Sequence, residues 1–442
     1  MERGYSTTSR DFETSLAQYL ASISKPGLIP GLERIKTLLR FMGNPEQDYP
    51  CIHIAGTNGK GSVALIISTV LHQAGYRVGR FISPHIHSYR ERFSVNNQEI
   101  EEHVLLDYLH KIEGDLEKLS RQGCDRVTEF ELLTAIAFQY FKDSKVDIAV
   151  LETGMGGLYD STNVVSPLLS IITGIDYDHQ SYLGNSLIEI ALNKAGIIKP
   201  RVPVVVGEMD AIARQVIQDK ADSQGSSLFP ASLCQVKYRC NPAIDGQVME
   251  IRCPGLEIDQ AYFSLLGDFQ LQNLAVALTS LMILKQQGYN IKNEHIVNAL
   301  PTLKHPGRME LISSNPPIIL DVAHNPQAAR ALASSLNNLF PQKQRIMVCG
   351  MLDDKDSMAI LKELGGDCRA CVVTRPESQR GLHWQRVAEQ WRLLYPDKEV
   401  WVKEDIEEAV KTGISLLGAE EYLLVAGSFY ILDRARRYLI TT

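Results

Sequence analysis

The sequence has no apolar run that approaches the roughly 18 residues a membrane-spanning helix needs. It also has no tract of basic residues, since 45 lysines and arginines stand against 52 acidic residues, for a net charge of −7. This balance argues against a general nucleic-acid surface, which needs clustered cations to neutralise phosphates. We therefore expect small-molecule ligands, with neither nucleic acid nor membrane as a partner. Any anionic ligand must then be met by local charge.

Other specialised features are also missing. The first ten residues are polar and lack the apolar core of a signal peptide, so a cytoplasmic location is expected. The eight cysteines are scattered, and Cys51, Cys349 and Cys371 lie in apolar runs typical of a core. Cys368 and Cys371 have Cys-x-x-Cys spacing. Without a second pair or nearby histidines, chance is the favoured explanation over a zinc or redox site.

The 442 residues, 45% of them hydrophobic, exceed one ordinary domain. Apolar strands alternate with helical patterns, which indicates parallel sheets built from crossover units. A segment rich in proline and glycine at 299–308 interrupts the alternation, so we predict domains at 1–302 and 303–442. The stretch 226–263 resembles a small antiparallel appendage. The predicted strands are 51–55, 78–82, 147–151, 168–173, 203–207, 317–321, 345–349, 371–374, 399–402 and 422–426.

The segment Gly56-Thr-Asn-Gly-Lys-Gly-Ser62 lies between the first predicted strand and a helix. Glycines let backbone N–H groups approach phosphates, and a helix N-terminus adds positive potential. Lys60 supplies a point charge, and Ser62 a hydroxyl for Mg²⁺ or phosphate. The spacing differs from the usual P-loop, because Ile54 occupies the first glycine position and Gly61 separates Lys60 from Ser62. A tight turn is the alternative, but the lysine and serine favour nucleotide binding.

Polar residues follow several of the predicted strands. In open parallel sheets, ligands bind beyond the carboxyl ends of the strands. Alone, each residue could be a helix cap or a loop residue, but several on one edge, opposite a phosphate loop, are typical of a Mg²⁺–nucleotide site. In the first domain they are Ser83, Glu152, Asp176, Asp178 and His179, and in the second Asp321, His324 and Ser428.

From about Gly31 to Tyr430 the sequence resembles the folylpolyglutamate synthases, a family often bifunctional with dihydrofolate synthase, within the Mur ligase superfamily. The resemblance implies an α/β fold with a P-loop-containing, doubly wound parallel-sheet ATPase domain and a smaller, Rossmann-like C-terminal domain. The matching stretches are 56–62, Ser83-Pro-His85, Thr128-Glu-Phe-Glu131, Asp178-His-Gln180, Lys194-Ala-Gly-Ile-Ile-Lys199, Pro306-Gly-Arg308, Asp321-Val-Ala-His-Asn-Pro326 and Gly427-Ser428.

The resemblance also implies a role for each matching residue. It implies ATP and Mg²⁺ as cofactors, glutamate and a folate or dihydropteroate as substrates, and a monomer. Lys60, Lys194 and His324 would be catalytic, with Lys194 carbamylated. ATP would be bound by Thr57, Asn58, Gly59, Lys60, Gly61, Ser62, Asn273, Arg308 and Asp321. The metal ligands would be Ser83, Glu152 and His179, and the substrate residues Thr128, Glu129, Phe130, Glu131, Tyr159, Asp160, Ser161, His324 and Ser428.

Two residues depart from the family's pattern, and two alternative functions stay open. Leu158 replaces the family's usual arginine, and Phe269 replaces its histidine, which bears on pterin or tail selectivity but not on the phosphate and metal residues. A related ligase acting on another carboxylate is one alternative, and a decayed nucleotide-binding module is the other. The segment 128–131 also has a structural interpretation, because Thr128 and Glu131 have the spacing of a helix capping box.

Overall fold

The computed structural model describes residues 9–27 and 29–441. The helices are α1 Ser9–Ile23, α2 Glu33–Phe41, α3 Lys60–Gln73, α4 Glu102–Arg121, α5 Glu129–Asp143, α6 Gln180–Leu183, α7 Leu187–Lys194, α8 Ala211–Ser223, α9 Phe269–Gln286, α10 Asn293–Ala299, α11 Pro326–Leu339, α12 Ser357–Gly365, α13 Arg386–Leu394, α14 Ile406–Ser415 and α15 Phe429–Thr441. The strands are β1 Cys51–Ala55, β2 Val78–Phe81, β3 Phe93–Val95, β4 Gln98–Glu99, β5 Ile148–Glu152, β6 Leu169–Ile172, β7 Val204–Val206, β8 Leu228–Pro230, β9 Gln235–Tyr238, β10 Gln247–Cys253, β11 Leu256–Phe263, β12 Glu310–Ser314, β13 Pro317–Asp321, β14 Gln344–Cys349, β15 Cys368–Thr374, β16 Glu399–Lys403 and β17 Glu421–Ala426.

Two compact units divide the chain. The first runs to Leu233 and also takes in Val276–His295, while the second comprises Cys234–Ala275 and the chain from Ile296 onward. Among the residues that the structure describes, no helix is long and apolar enough to cross a membrane.

The first unit is built on a sheet of order β4-β3-β2-β5-β1-β6-β7-β8. Strands β2, β5, β1, β6, β7 and β8 run parallel to one another. Strands β3 and β4 add an antiparallel edge that the sequence did not predict. Every residue of β1 and β5 is buried, as expected where helices cover both faces of a sheet. The five strands predicted for this unit are confirmed to within a residue at either end.

Helix α3 follows the phosphate loop and is buried on all sides. Every residue from Ser62 to Leu71 is buried. The helix packs on β2 and β5. The buried Ser68 hydroxyl donates to the Leu65 carbonyl at 3.0 Å, and the Thr69 hydroxyl accepts from the Asn97 side chain at 3.2 Å. Gly75 takes a left-handed conformation directly after the helix, the geometry expected of the glycine that ends it.

The second unit contains the small antiparallel sheet, of order β11-β10-β9. The appendage predicted at 226–263 is therefore confirmed for these three strands. It is wrong for Leu228–Pro230, which pairs in parallel with β7 in the sheet of the first unit. Three residues are too few to show a period, so only their long-range partner assigns them. Cys234 and Cys253 form a disulfide that the sequence did not predict.

The other sheet of this unit has the order β12-β13-β17-β14-β15-β16. Strands β13, β17, β14, β15 and β16 are parallel and correspond to the five predicted strands. Strand β12 is an antiparallel edge that the sequence did not predict. In the register, Ala426 pairs with both Asp321 and Cys349, so these three strands end level with one another. Cys51, Cys349 and Cys371 are all buried, as predicted.

Candidate active site

The phosphate loop joins β1 to α3 and depends on two glycines. Gly56 has φ +154°, and a Cβ there would lie 1.9 Å from the Thr173 Oγ1 atom. Gly59, at φ +86°, is the residue before the first turn of α3. The Thr173 hydroxyl donates to the Asn58 carbonyl at 2.6 Å and so fills the space a side chain would take. The loop is therefore closely packed on the end of β6 and tolerates only glycine at Gly56.

Thr57 ties the loop to the segment after β6. Its N–H donates to the Gly174 carbonyl at 2.9 Å, and its hydroxyl accepts from the Asp176 N–H at 3.0 Å. Asp176 begins the segment that leads to Asp178 and His179. The structure therefore brings this segment against the phosphate loop, as the strand-end argument predicted.

Lys60 curls back over its own loop. Its Nζ donates to the carbonyls of Gly56 at 3.1 Å and Thr57 at 3.4 Å, and lies 3.9 Å from Glu152 Oε1. The side chain is mostly buried, so its charge is weakly screened. Ser62, two residues further, is buried in the first turn of the helix. This arrangement gathers positive charge where the loop N–H groups and the helix terminus also favour an anion.

Glu152 ends β5, and Ser83 follows β2 on the neighbouring strand. The Ser83 N–H donates to Glu152 Oε2 at 3.3 Å, which brings these two predicted metal ligands together. Carboxylate and hydroxyl oxygens are the donors that Mg²⁺ prefers, and the Glu152 carboxylate is largely buried. The residues present therefore fit a magnesium ion. Among the described residues there is no group of three or more His, Cys, Asp and Glu that could hold a metal.

His179 is the third predicted metal ligand. It has φ +50°, its N–H donates to Asp178 Oδ1 at 2.9 Å, and its Nε2 lies 3.8 Å from Asp178 Oδ2. A left-handed backbone at a non-glycine residue is uncommon and is often found at functional sites. Asp178, predicted at the same edge of the sheet, is thus the carboxylate that contacts both the backbone and the ring of His179.

Lys194 is buried at the end of α7, against the same loop. Its Nζ donates to the Gly56 carbonyl at 2.9 Å. Burial, and secondarily the charge of Lys60, lowers the pKa of Lys194 to about 7. Lys194 is therefore not an ordinary solvated lysine at the end of a helix. A buried lysine with a lowered pKa has a reactive neutral amine near physiological pH.

The predicted substrate segment 128–131 begins α5. Thr128 and Glu131 form the capping box that their spacing indicated, with the Thr128 N–H donating to Glu131 Oε2 at 2.7 Å. Arg34 adds an ion pair to Glu131 at 3.1 Å, so this carboxylate is engaged with protein groups. Phe130 stacks on Phe81 with ring centres 5.8 Å apart.

Glu129, the other acid of that segment, accepts a hydrogen bond from the Tyr89 hydroxyl at 3.1 Å. Tyr89 also contacts the His85 ring, with centres 4.4 Å apart, and lies under the Arg92 guanidinium. Nothing in the local sequence marks Tyr89 or Arg92. Sequence reasoning missed both, because only the fold brings Tyr89, with Arg92 over its ring, to Glu129.

The loop after Glu152 carries three further predicted substrate residues. Asp160 and Ser161 are buried, while Tyr159 is exposed, as is the neighbouring Leu158. The Leu158 N–H donates to the Asn193 carbonyl at 2.8 Å, which ties this loop to α7 beside Lys194. Position 158, where the resemblance implies an arginine, is thus exposed.

The predicted residues of the second unit gather around an aromatic ring that the sequence did not single out. Arg308 lies over Phe429, 5.0 Å from its centre, and the His324 ring centre lies 6.0 Å from it. Ser428 precedes Phe429 and accepts a hydrogen bond from the Tyr430 N–H at 3.2 Å. Phe429 could have been suspected only from its place beside Ser428.

Asp321 and Asn273 complete the predicted set. The Asp321 carboxylate accepts from the N–H groups of Met309 and Ala323, both at 2.7 Å. Burial raises the pKa of Asp321, and the Arg308 charge acts against that rise. Asn273 donates to the Gln270 side chain at 2.9 Å, a partner one turn earlier on its own helix α9.

Comparison with known proteins agrees with this geometry. The Mur ligase middle domain matches residues 54–281, and the Mur ligase glutamate ligase domain matches 307–429. The dihydrofolate synthase/folylpolyglutamate synthase of Bacillus subtilis is 34% identical over 420 residues, covering 94% of this chain and 96% of that protein. The folylpolyglutamate synthase of Lacticaseibacillus casei is 32% identical, covering 97% and 98%.

A solved structure gives the same result. The Mycobacterium tuberculosis folylpolyglutamate synthase, complexed with ADP and AMPPCP, superposes with a TM-score of 0.90 at 31% identity, covering 98% of this chain and 99% of the other. Both the sequence and the fold are thus shared over nearly the whole length. The chain belongs to the folylpolyglutamate synthase and dihydrofolate synthase family of Mur-type ligases.

Proposed function

We propose that this protein is an ATP-dependent ligase that adds L-glutamate to the carboxylate of folates and of dihydropteroate, through an acyl phosphate. The observation that carries the proposal is the phosphate loop between Lys60, Lys194 and Glu152, in a chain of this family. The family argues against the alternatives of another carboxylate substrate and of a decayed module.

The chemistry explains why such a site is needed. A carboxylate does not react with an amine at neutral pH, because its oxygen is a poor leaving group. Transfer of the ATP γ-phosphoryl group makes an acyl phosphate, whose carbonyl the glutamate amine attacks as phosphate leaves. Lys60 and the loop N–H groups would stabilise the charge on the transferring phosphoryl group. Bound Mg²⁺ would supply further neutralisation of that charge.

We assign the remaining residues as follows. Thr57 to Ser62 bind the ATP phosphates, with Asn273, Arg308 and Asp321 contacting the nucleotide. Ser83, Glu152 and His179 hold Mg²⁺, and Lys194 is carbamylated. The segment 128–131 with 159–161 binds the pterin end of the substrate, and His324 and Ser428 bind glutamate. We also propose that the chain divides functionally into 1–302 and 303–442 and that the protein is a monomer. Its proposed location is the cytoplasm, where ATP is available.

The basic test is ADP release by the purified protein. We expect release that depends on both glutamate and a folate. Glutamate with a cell-wall type carboxylate should give none. ATP binding without any glutamate-dependent release across a panel of pteroates would contradict the proposal and favour a nucleotide-regulated binding module.

The Glu152→Gln variant tests the metal assignment. A neutral amide is a poorer ligand for a hard cation, so the Mg²⁺ concentration needed for half-maximal activity should rise at least about tenfold. Activity is titrated with Mg²⁺ at saturating ATP and folate. Glu117→Gln, the same acid-to-amide change at an exposed residue of α4, is the control and should leave the Mg²⁺ titration unchanged. A Mg²⁺ titration of Glu152→Gln that overlays the wild type would make Glu152 a purely structural residue.

Dual substrate use is a separate expectation. The two relatives differ in name, one bearing both activities and the other folylpolyglutamate synthase alone. We expect glutamate-dependent ADP release with dihydropteroate as well as with tetrahydrofolate, because Phe130 and Glu129 can offer an aromatic surface and an acceptor to a pterin ring. Steady-state kinetics with each substrate measures this. Release with tetrahydrofolate alone would leave only the polyglutamylating activity.

A further inference from the structure

A buried histidine in the central strand has no role in the proposed chemistry. His53 lies in the middle of β1 and is fully buried. Its Nε2 is 2.8 Å from the Thr162 hydroxyl oxygen, whereas its Nδ1 has no hydrogen-bond partner. Burial lowers the pKa of His53 to about 3, so the ring is neutral. A neutral imidazole has one N–H, and its position decides what the ring does.

The neighbours of Thr162 identify that position. Asp160 accepts from the Thr162 N–H at 3.0 Å, the Met155 N–H at 2.9 Å and the Thr162 hydroxyl at 2.5 Å. Burial raises the pKa of Asp160, and the hydrogen bonds from Thr162 and from the backbone N–H groups act against that rise. The two N–H groups can only donate, so they favour the ionised, acceptor-only carboxylate. The Thr162 hydroxyl has one proton and donates it in the hydrogen bond to Asp160. It must therefore accept from His53, which makes His53 the Nε2–H tautomer.

Asp160 in turn holds the glycine loop that follows Glu152. Through Met155 it fixes residues 154–157, and the Gly157 N–H donates to the Asn193 side chain at 3.0 Å. Gly154 lies so close to the Phe130 ring that an added Cβ would approach to 2.6 Å. The loop thus links the proposed pterin surface on one side with the helix end that carries Lys194 on the other.

We propose that His53 is a positioning residue for the ligase reaction: its Nε2–H fixes the Thr162 hydroxyl, which holds Asp160 and the glycine loop in place at the pterin end of the site. The inference rests on the proposed function. A residue serving only as core packing would be better apolar, because an unpartnered buried nitrogen destabilises the fold. The hydrogen bond from Nε2 accounts for a polar ring at this position.

Paired variants separate positioning from packing. His53→Gln keeps an amide N–H at the place of Nε2, and His53→Met has similar bulk with no donor. We expect His53→Met to raise the KM for folate or lower kcat by roughly tenfold, with the KM for ATP within twofold of wild type. His53→Gln should recover most of that loss. Cys51→Ala, a packing change on the same face of β1, should lower Tm without changing the folate KM.

A double-mutant cycle tests the route through Thr162. Thr162→Val removes the hydroxyl while keeping the shape, and Thr162→Ser keeps the hydroxyl. If His53 acts through this hydroxyl, adding His53→Met to Thr162→Val should cost little more than Thr162→Val alone. Losses that multiply, or equal losses in His53→Gln and His53→Met, would overturn the proposal.

Nitrogen NMR of protein labelled with ¹⁵N-histidine reads the tautomer without any assay. The resonances absent from His53→Gln belong to His53, and we expect the Nε2–H pattern in wild type. An Nδ1–H pattern would overturn the proposal whatever the activity. A wild-type protein that shows the Nε2–H form but no glutamate-dependent ADP release would instead contradict the proposed function and leave the hydrogen-bond assignment standing.

Discussion

Lys60→Ala should lower kcat/KM for ATP by about a thousandfold while the protein remains folded. The Nζ group is the cation that leans over the phosphate loop, where it meets two backbone carbonyls and Glu152. Removing one charge-stabilising group at a reacting centre costs about 10²–10³ in rate, and Lys60 also neutralises bound ATP. The measurement is glutamate-dependent ADP release at saturating folate.

Thermal unfolding provides the companion measurement for Lys60→Ala. Loss of the two lysine–carbonyl hydrogen bonds should reduce stability by only about 1–2 kcal/mol, because no apolar core is lost. Lys118→Ala, an exposed lysine on α4, is the matched control and should change neither activity nor Tm. Near-normal ligase activity in folded Lys60→Ala protein would contradict the phosphate-loop assignment.

Much of the first unit could be predicted because its signals are local. Buried parallel strands are short apolar runs, and the residues that follow them share one edge of the sheet. The strand-end argument singles out Ser83 and Glu152, and the glycine-rich sequence with Lys60 and Ser62 singles out the loop 56–62. The structure confirms these strands, and Ser83 and Glu152 are in contact because β2 and β5 are neighbours in the sheet.

The remaining contacts come from partners far apart in sequence. Arg34 reaches Glu131 across 97 residues, and His53 reaches Thr162 across 109. Contacts over such long sequence separations leave no periodicity or motif spacing in the local sequence. The capping box of Thr128 was predictable because it is completed within one helical turn. The capping box pairs backbone N–H groups at the start of α5 with side chains. It does not test whether the segment 128–131 binds the substrate, which stays a prediction.

Burial explains why Lys194 could not be understood from sequence. Its spacing on α7 suits a solvated lysine, and only the packing of that helix end on the phosphate loop buries the amine. Carbamylation needs the neutral amine, whose nitrogen attacks CO₂ and loses a proton. With a pKa of about 7 the amine is about half neutral at pH 7, whereas an unperturbed lysine would be less than about a thousandth neutral.

Lys194→Ala should therefore lose at least about a hundredfold in kcat and regain part of it with added acetate or formate. A short carboxylate can occupy the space of the missing side chain and restore an anion there. Because the neutral fraction rises with pH, wild-type protein stripped of CO₂ should regain activity faster at pH 8 than at pH 6, at equal dissolved CO₂. The measurement is ADP release after readdition of CO₂.

Two comparisons make the carbamylation prediction specific. Lys60→Ala should show no rescue by acetate, because a cation is missing there and an added anion only repels phosphate. Lys199→Ala removes a nearby lysine whose Nζ donates to the Asn163 carbonyl, and its activity should not depend on carboxylates. Full activity in Lys194→Ala, or a crystal structure with an unmodified amine bound to Gly56 during turnover conditions, would contradict carbamylation. The buried ammonium would then serve as a second cation for the loop, and the pH dependence would reverse, since the charged form prevails below the pKa of about 7.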